Sequence, residues 1–220
     1  MKRFLILFAV LAVVLLVSPF LNKSENMEPV TGLPWQIDIL PDGSTQVFGL
    51  TLGVSRLSDV LGLLGDDDVD LAIIAAGDEV GSLEMYYGHY QAGVIAGKLV
   101  VQANSSEENI KSWREHAIKS DYMASGKAKK YRLSADDLKQ ALNEVVTGIT
   151  FIPSANLDEE IILARFGQPD ERVQLEGVTH FLYPAKGLDI AMFAEAKEII
   201  QYVSPDAFQS KLGSSDPELE

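Results

Sequence analysis

The sequence predicts an α+β fold: an N-terminal transmembrane helix followed by two tandem units in which short helices pack on antiparallel sheets. Three observations carry that prediction. The chain runs from Phe4 to Asn22 without a charged side chain. Two stretches, Gly53–Asp67 and Pro153–Asp170, share one plan: a polar cap, a short apolar-periodic run, and a glycine that stops it. Strand-like segments joined by short turns then follow each stretch, as antiparallel meanders require.

The first segment, residues 1–22, opens with Lys2 and Arg3 and continues as an apolar run over residues 4–21. A helical run of about 18 to 20 apolar residues matches the hydrocarbon thickness of a bilayer. The alternative is a cleaved signal peptide, whose apolar core is usually shorter and ends in small residues. Here the exit is Ser18-Pro19-Phe20-Leu21-Asn22, bulky where a peptidase wants small side chains, which favours a retained anchor. The positive-inside preference would hold Lys2 and Arg3 in the cytoplasm. The expected localisation is therefore the inner (cytoplasmic) membrane, single-pass, with the C-terminal body in the periplasm or another extracytoplasmic space.

Residues 23–34 carry Pro29, Gly32 and Pro34 and read as a linker. The first unit, 35–123, opens with the alternating run Trp35–Leu40, the turn Pro41-Asp42-Gly43-Ser44 and the run Thr45–Phe48, a hairpin signal. Ser55 is the expected N-cap of a helix whose face is Leu57, Val60, Leu61 and Leu64, with Gly65 ending it. Strands are expected at Asp70–Ala76, Leu83–His89 and Val94–Gln102. Ser105 and Glu108 form a capping-box pattern for a helix reaching Tyr122, with Ile110, Trp113 and Ala117 inward. Residues 124–133 are small and Lys-rich and read as a basic connector.

The second unit, 134–204, starts with a helix capped by Ser134 and carrying Leu138, Ala141, Leu142 and Val145 inward. A strand at Gly148–Ile152 leads to a second helix capped by Asn156. Its face is Ile161, Ile162 and Phe166; Gly167 stops it and Pro169 forbids restarting. Strands follow near Arg172–Leu175, His180–Tyr183, Leu188–Phe193 and Glu198–Val203. Residues 205–220 form an acidic, flexible tail.

The pattern Gly53, Val54, Ser55, Val60, Leu64, Gly65, with Asn156, Ile162, Phe166, Gly167 and Pro169 in the second copy, resembles a motif of small bacterial envelope proteins. It is similar to the SmpA/OmlA (BamE-like) outer-membrane assembly lipoproteins and to the related fold of beta-lactamase inhibitor proteins. The resemblance implies a helix-then-meander fold and a protein-binding role. This chain departs from the pattern in lacking the lipid-bearing cysteine, in having Asp67 where the first copy would carry proline, and in lacking the opening glycine of the second copy.

Composition narrows function by exclusion. The net charge is −14, from 18 basic and 32 acidic residues. Three of the basic residues, Lys2, Arg3 and Lys23, precede every acidic one, so the body is more acidic still. Such a surface repels nucleic acid. With no cysteine there is no disulfide, no thiolate metal site and no Cys nucleophile. His89, His116 and His180 show no ligand spacing, though a pairing of His89 with His180 through the repeats is conceivable. Asp66-Asp67-Asp68 reads as a solvated turn rather than a Ca2+ loop, which would need Gly and Glu at the positions of Leu71 and Gly77. No catalytic residue, metal ligand or cofactor site is expected.

Two contact candidates remain. Seven basic residues between Lys111 and Arg132 face only Glu115 and Asp121, a local inversion of charge. Within it Lys127, Lys129, Lys130 and Arg132 read either as a solvated connector or as a patch for an anionic partner, a lipid surface or an acidic protein. Tyr86 and Tyr87 lie on opposite faces of one strand, so one of them either finishes a core or presents a partner surface. The sequence thus points to a membrane-anchored envelope protein that binds a protein partner. An enzyme or small-molecule binder with a site between the two units is the alternative.

Overall fold

Alternation rather than helical periodicity governs the folded chain. In the computed structural model, which describes residues 30–208, strands far outweigh the short helices among the described residues. β1 (Ile37–Ile39), β2 (Thr45–Val47) and β3 (Leu50–Thr51) form a small sheet. The other strands are β4 (Val69–Ala76), β5 (Ser82–Ala92), β6 (Ile95–Asn104), β7 (Lys119–Tyr122), β8 (Ala128–Arg132), β9 (Val145–Pro153), β10 (Glu171–Leu175), β11 (Val178–Tyr183), β12 (Leu188–Phe193) and β13 (Ile199–Val203). They make one ten-stranded antiparallel sheet in the order β10-β11-β12-β13-β9-β6-β5-β4-β8-β7.

This corrects the expected α+β class of two units, each on its own sheet: the protein is mostly β and its main sheet is continuous. The reason lies in β9, whose register pairs it with β6 along one edge and with β13 along the other. Its run Val-Val-Thr-Gly-Ile-Thr-Phe-Ile-Pro is rich in β-branched and aromatic residues, as a strand requires, and buries Ile149 and Phe151 on its inner face. A helix followed by an antiparallel meander does occur twice, of three strands after the helix Leu57–Leu64 and four after the helix Glu159–Phe166, but both meanders belong to this one sheet.

The expected transmembrane helix is corrected as well. Residues 4–21, with the rest of 1–29, lie outside the described residues, as does most of the tail 205–220. Among the described residues no helix is long and apolar enough to cross a membrane. The longest of the described helices, Glu107–Glu115, has nine residues and would span about 14 Å, against about 30 Å of hydrocarbon. The single-pass inner-membrane, periplasmic placement is therefore not supported by the structure.

The register puts Leu71 and Ile73, Met85 and Tyr87, Leu99 and Val101, Ile149 and Phe151, and Ile200 and Tyr202 on one face of the sheet. All belong to one core cluster. That cluster is closed by Leu57 and Val60 of α1 (Leu57–Leu64), Ile110 and Trp113 of α2 (Glu107–Glu115), Ala141 of α3 (Ala135–Ala141) and Ile162 and Phe166 of α4 (Glu159–Phe166). Val47 and Leu50 of the small sheet complete it. Among the described residues, the helices and the small sheet cover one face only. Each large side chain so buried stabilises the fold by about 1.5 to 3 kcal/mol relative to exposure.

Local chemistry sets the helix ends, not always with the expected residue. Ser106, rather than Ser105, caps α2 by accepting from Asn109 N–H at 3.1 Å, while Ser105 bonds Glu144. Asp158, rather than Asn156, caps α4, accepting from Ile161 N–H at 2.8 Å. Ser55 Oγ accepts from Thr51 N–H instead of capping α1. Ser134 caps α3 as expected. α2 stops at Glu115, well short of Tyr122, because Lys119–Tyr122 pairs as a strand with β8.

The two glycine stops share a further feature. Gly65 and Gly167 have φ of 88° and 87°, a conformation that favours glycine. The carbonyl of each accepts a tyrosine hydroxyl from the second strand of the following meander, Tyr87 to Gly65 and Tyr183 to Gly167, both at 2.9 Å. Burial, and then the nearby Tyr90 and Asp66, push the Tyr87 hydroxyl up to about 12. Burial also raises Tyr90, Tyr183 and, most strongly, Tyr202. Unfolding returns each phenol to its ordinary value near 10. Between those values the unfolded chain sheds protons that the folded chain keeps. The contribution of these phenols to stability is thus constant below about pH 10 and falls from there upward. Thermal melts from pH 9 to 12 should show this decline, and Tyr87→Phe should make it shallower; a flat profile would contradict the burial of these phenols.

The small sheet is pinned by an unusual turn. Phe48 and Gly49 both have positive φ, 53° and 77°, which closes the β2–β3 hairpin in two residues. That strained position sends the Phe48 ring into the core, 5.8 Å from Tyr90, 5.9 Å from Phe151 and 5.7 Å from Tyr202 between centroids. Tyr202, fully buried, also donates to Pro34 C=O at 2.7 Å.

Candidate interaction face

Side chains of opposite parity stand on the uncovered face of the large sheet, and their register can be followed across it. Asp189, Gln201, Thr150, Val100, Tyr86 and Asp70 are successive cross-strand partners on β12, β13, β9, β6, β5 and β4. At about 4.8 Å per strand this row is about 24 Å long. Beside it run Ile152, Lys98 and Ile199 on one side and Val203, Gly148, Gln102 and Glu84 on the other. Ser82 Oγ donates to Glu84 at 2.7 Å, and Gln102 Nε2 lies 3.5 Å from the same carboxylate oxygen.

The row is mixed, with ion-pairing groups toward either side and both polar and apolar residues between them. At one end His180 Nδ1 lies 3.0 Å from both carboxylate oxygens of Asp189. At the other, Lys130 pairs with Asp70. Between them stand Thr150, Val100 and the ring of Tyr86, which is 39% exposed. Apolar and aromatic side chains set among polar and charged ones suit a protein contact surface.

The residues singled out from sequence fall in different places. Tyr86 is on this face. Tyr87 points the other way, into the core, at 2% exposure. The stretch read as a basic connector is the β7–β8 hairpin, which extends the sheet. Its tip holds Lys127, exposed, while Arg132 at its base is exposed on the open face. Lys129 Nζ lies over the Tyr122 ring at 4.7 Å, and Lys130 is engaged by Asp70. Two of the four cations thus already have partners within the chain. Arg114, also part of the basic run, bonds the carbonyls of Glu79 and Val80 at 2.6 and 2.9 Å. The hairpin was legible in Tyr122 and Tyr131 flanking Ser125-Gly126, a turn pair between β-forming residues. Asp189 as the neighbour of His180 was not, because it depends on strand register.

Catalytic geometry is sparse. His89 on β5 and His180 on β11 stand five strand spacings apart, about 24 Å, so the repeats do not bring them together. His116 Nδ1 is 4.0 Å from Asp137 at the end of α2. Thr150, the hydroxyl on the central row, is two strands from Asp189, about 10 Å. Among the described residues no three His, Asp or Glu side chains converge as metal ligands. A cavity of about 290 Å3 lies between α1, α3 and the start of β4, lined by Leu61, Val69, Leu71, Met85, Leu138 and Leu142, with Asp70 and Arg132 also on its wall. It is apolar and sits at the side of the sheet, not between two units.

The fold and this face define an antiparallel β protein with one covered and one open sheet surface. No protein-family model, curated protein or solved structure matches the chain.

Proposed function

We propose that this chain is a non-enzymatic protein-binding module whose contact surface is the open face of the ten-stranded sheet. The carrying observation is the row Asp189–Gln201–Thr150–Val100–Tyr86–Asp70, in which Val100 and the exposed Tyr86 ring lie among polar side chains, with the Lys130–Asp70 ion pair and the His180–Asp189 contact toward its two sides. Sheet side chains are held by the ladder on both sides, so the surface is preorganised and little ordering entropy is lost on binding. From the sequence resemblance the reading keeps only the helix-then-meander arrangement, supported by the matching Tyr87–Gly65 and Tyr183–Gly167 bonds.

The test compares proteins retained from source-cell extracts by the full chain and by two variants. Tyr86→Lys/Thr150→Lys places two charges at the centre of the face; Leu63→Lys/Ile161→Lys places two on exposed positions of the helix side. A partner held by wild type and by the helix-side variant should be lost from the open-face variant by about tenfold or more, because charges buried in an interface lose their solvation. Equal retention by both variants would exclude the open face.

A further inference from the structure

The geometry points to β7 as a pairing edge for a second copy of this chain, in one antiparallel register centred on Ser120. β7 ends the ten-stranded sheet, and its residues Lys119–Tyr122 are all exposed. Ile118 and Tyr122 are 66% and 70% exposed. An outer strand with an exposed Tyr122, and exposed Ile118 just before it, offers unpaired backbone groups beside apolar surface.

The backbone fixes which residues can pair. Met123 N–H donates to Ala128 C=O at 2.8 Å. Hydrogen-bonded pairs alternate along an antiparallel ladder, so Asp121 and Lys119 also turn their N–H and C=O toward β8. Ser120 and Tyr122 turn theirs outward. Ser120 is thus the central outward residue of the short edge.

Two-fold antiparallel pairing about Ser120 then matches the charged side chains of β7. Ile118 lies in the bend just before β7, outside the paired strand. Lys119 meets Asp121, and Asp121 meets Lys119. Within one chain Lys119 Nζ and Asp121 already lie 2.7 Å apart on the same side of the strand, so the four charges would alternate in sign around the dyad. The Ser120 pair exchanges two backbone bonds. Ile118 N–H is occupied by Arg132 C=O at 3.0 Å, which limits the ladder to this length. The segment Lys-Ser-Asp is therefore complementary to itself. The opposite edge, β10, reads Glu-Arg-Val-Gln-Leu, and about its centre it opposes Glu to Leu and Arg to Gln. Pairing about a dyad normal to the sheet keeps each face on its own side, so the two open faces would join. Pairing through a four-residue strand makes a contact smaller than a standard stable interface, so the association is weak and reversible.

A cysteine trap suits such a contact, because the chain has no cysteine of its own. Hydrogen-bonded antiparallel partners have Cα atoms about 5.5 Å apart, within disulfide reach. Full-length chain carrying Ser120→Cys, oxidised with diamide, should form a covalent dimer, whereas Leu175→Cys on the opposite edge should not. Adding Lys119→Asp or Asp121→Lys to Ser120→Cys sets like charges against each other and should abolish the dimer. Mixing those two double variants should restore it as the mixed species alone. If Ser120→Cys crosslinks no better than Leu175→Cys, or if the charge variants neither block nor rescue it, the pairing is wrong.

Discussion

Gly187→Ala should be among the most damaging single substitutions in this protein, lowering stability by about 2 to 6 kcal/mol. Gly187 closes the 3-10 turn Pro184–Lys186 with φ 61° and ψ 35°, the left-handed conformation. An alanine there carries a backbone cost of about 1 to 3 kcal/mol. Its Cβ would also sit 1.9 Å from Val203 C=O and 3.0 Å from the carbonyl carbon. Those are backbone atoms of β13, fixed by Val203 N–H donating to Gly187 C=O at 2.9 Å. The strand cannot yield without shifting its register against β12 and β9, so overpacking adds about 1 to 3 kcal/mol. Gly177→Ala is the control: its φ is 84°, but nothing lies within 4 Å of the added methyl. Urea unfolding of both variants should show Gly187→Ala losing clearly more, and equal losses would mean that the close approach of β12 and β13 is not as described.

Phe151→Ala should cost about 3 to 5 kcal/mol, the range for truncating a buried aromatic. Phe151 is fully buried on β9, the strand that joins the two meanders. Its ring packs 5.9 Å from Phe48 and 6.3 Å from Tyr90. It also fills the space over Gly97, where a Cβ would come within 2.5 Å of the ring. Removing the ring opens a cavity where the small sheet meets the large one. Relaxation is limited, because Tyr202 beneath Phe48 is held by its bond to Pro34. The expected result is a lower urea midpoint with loss of the near-ultraviolet signal of the aromatic cluster. A loss below about 1 kcal/mol would indicate that the cluster does not couple the sheets.

The sequence signals that succeeded are local ones. The strands β4, β5 and β6, the strands β10 to β13, and the helices stopped by Gly65 and Gly167 were all legible, since alternation, period and glycine act within a few residues. Pairing was not legible. Nothing in Val145–Pro153 says that β6 will take one edge and β13 the other, and that choice alone turns two sheets into one. Helix extent failed where two local signals competed. Ala117 continues the helical face of Ile110 and Trp113, but Ser120 and Tyr122 alternate as a strand, and pairing with β8 decided the matter. The small residues of 124–127 read as a connector, yet they are the four-residue turn that lets Met123 bond Ala128. For the interaction face, Tyr86 could be singled out because aromatic residues on a strand must face one way or the other. Thr150, Val100 and Gln201 could not, because they become neighbours only through register.

Photo-crosslinking from single positions on the full chain tests the open face most directly. p-Benzoylphenylalanine would replace Tyr86 or Thr150 on the open face, and Leu63 or Ile161 on the helix side, in cells expressing the protein. Binding through the open face predicts adducts with another protein from positions 86 and 150 and not from 63 or 161. Adducts from the helix side alone, or none from any of the four positions, would contradict it.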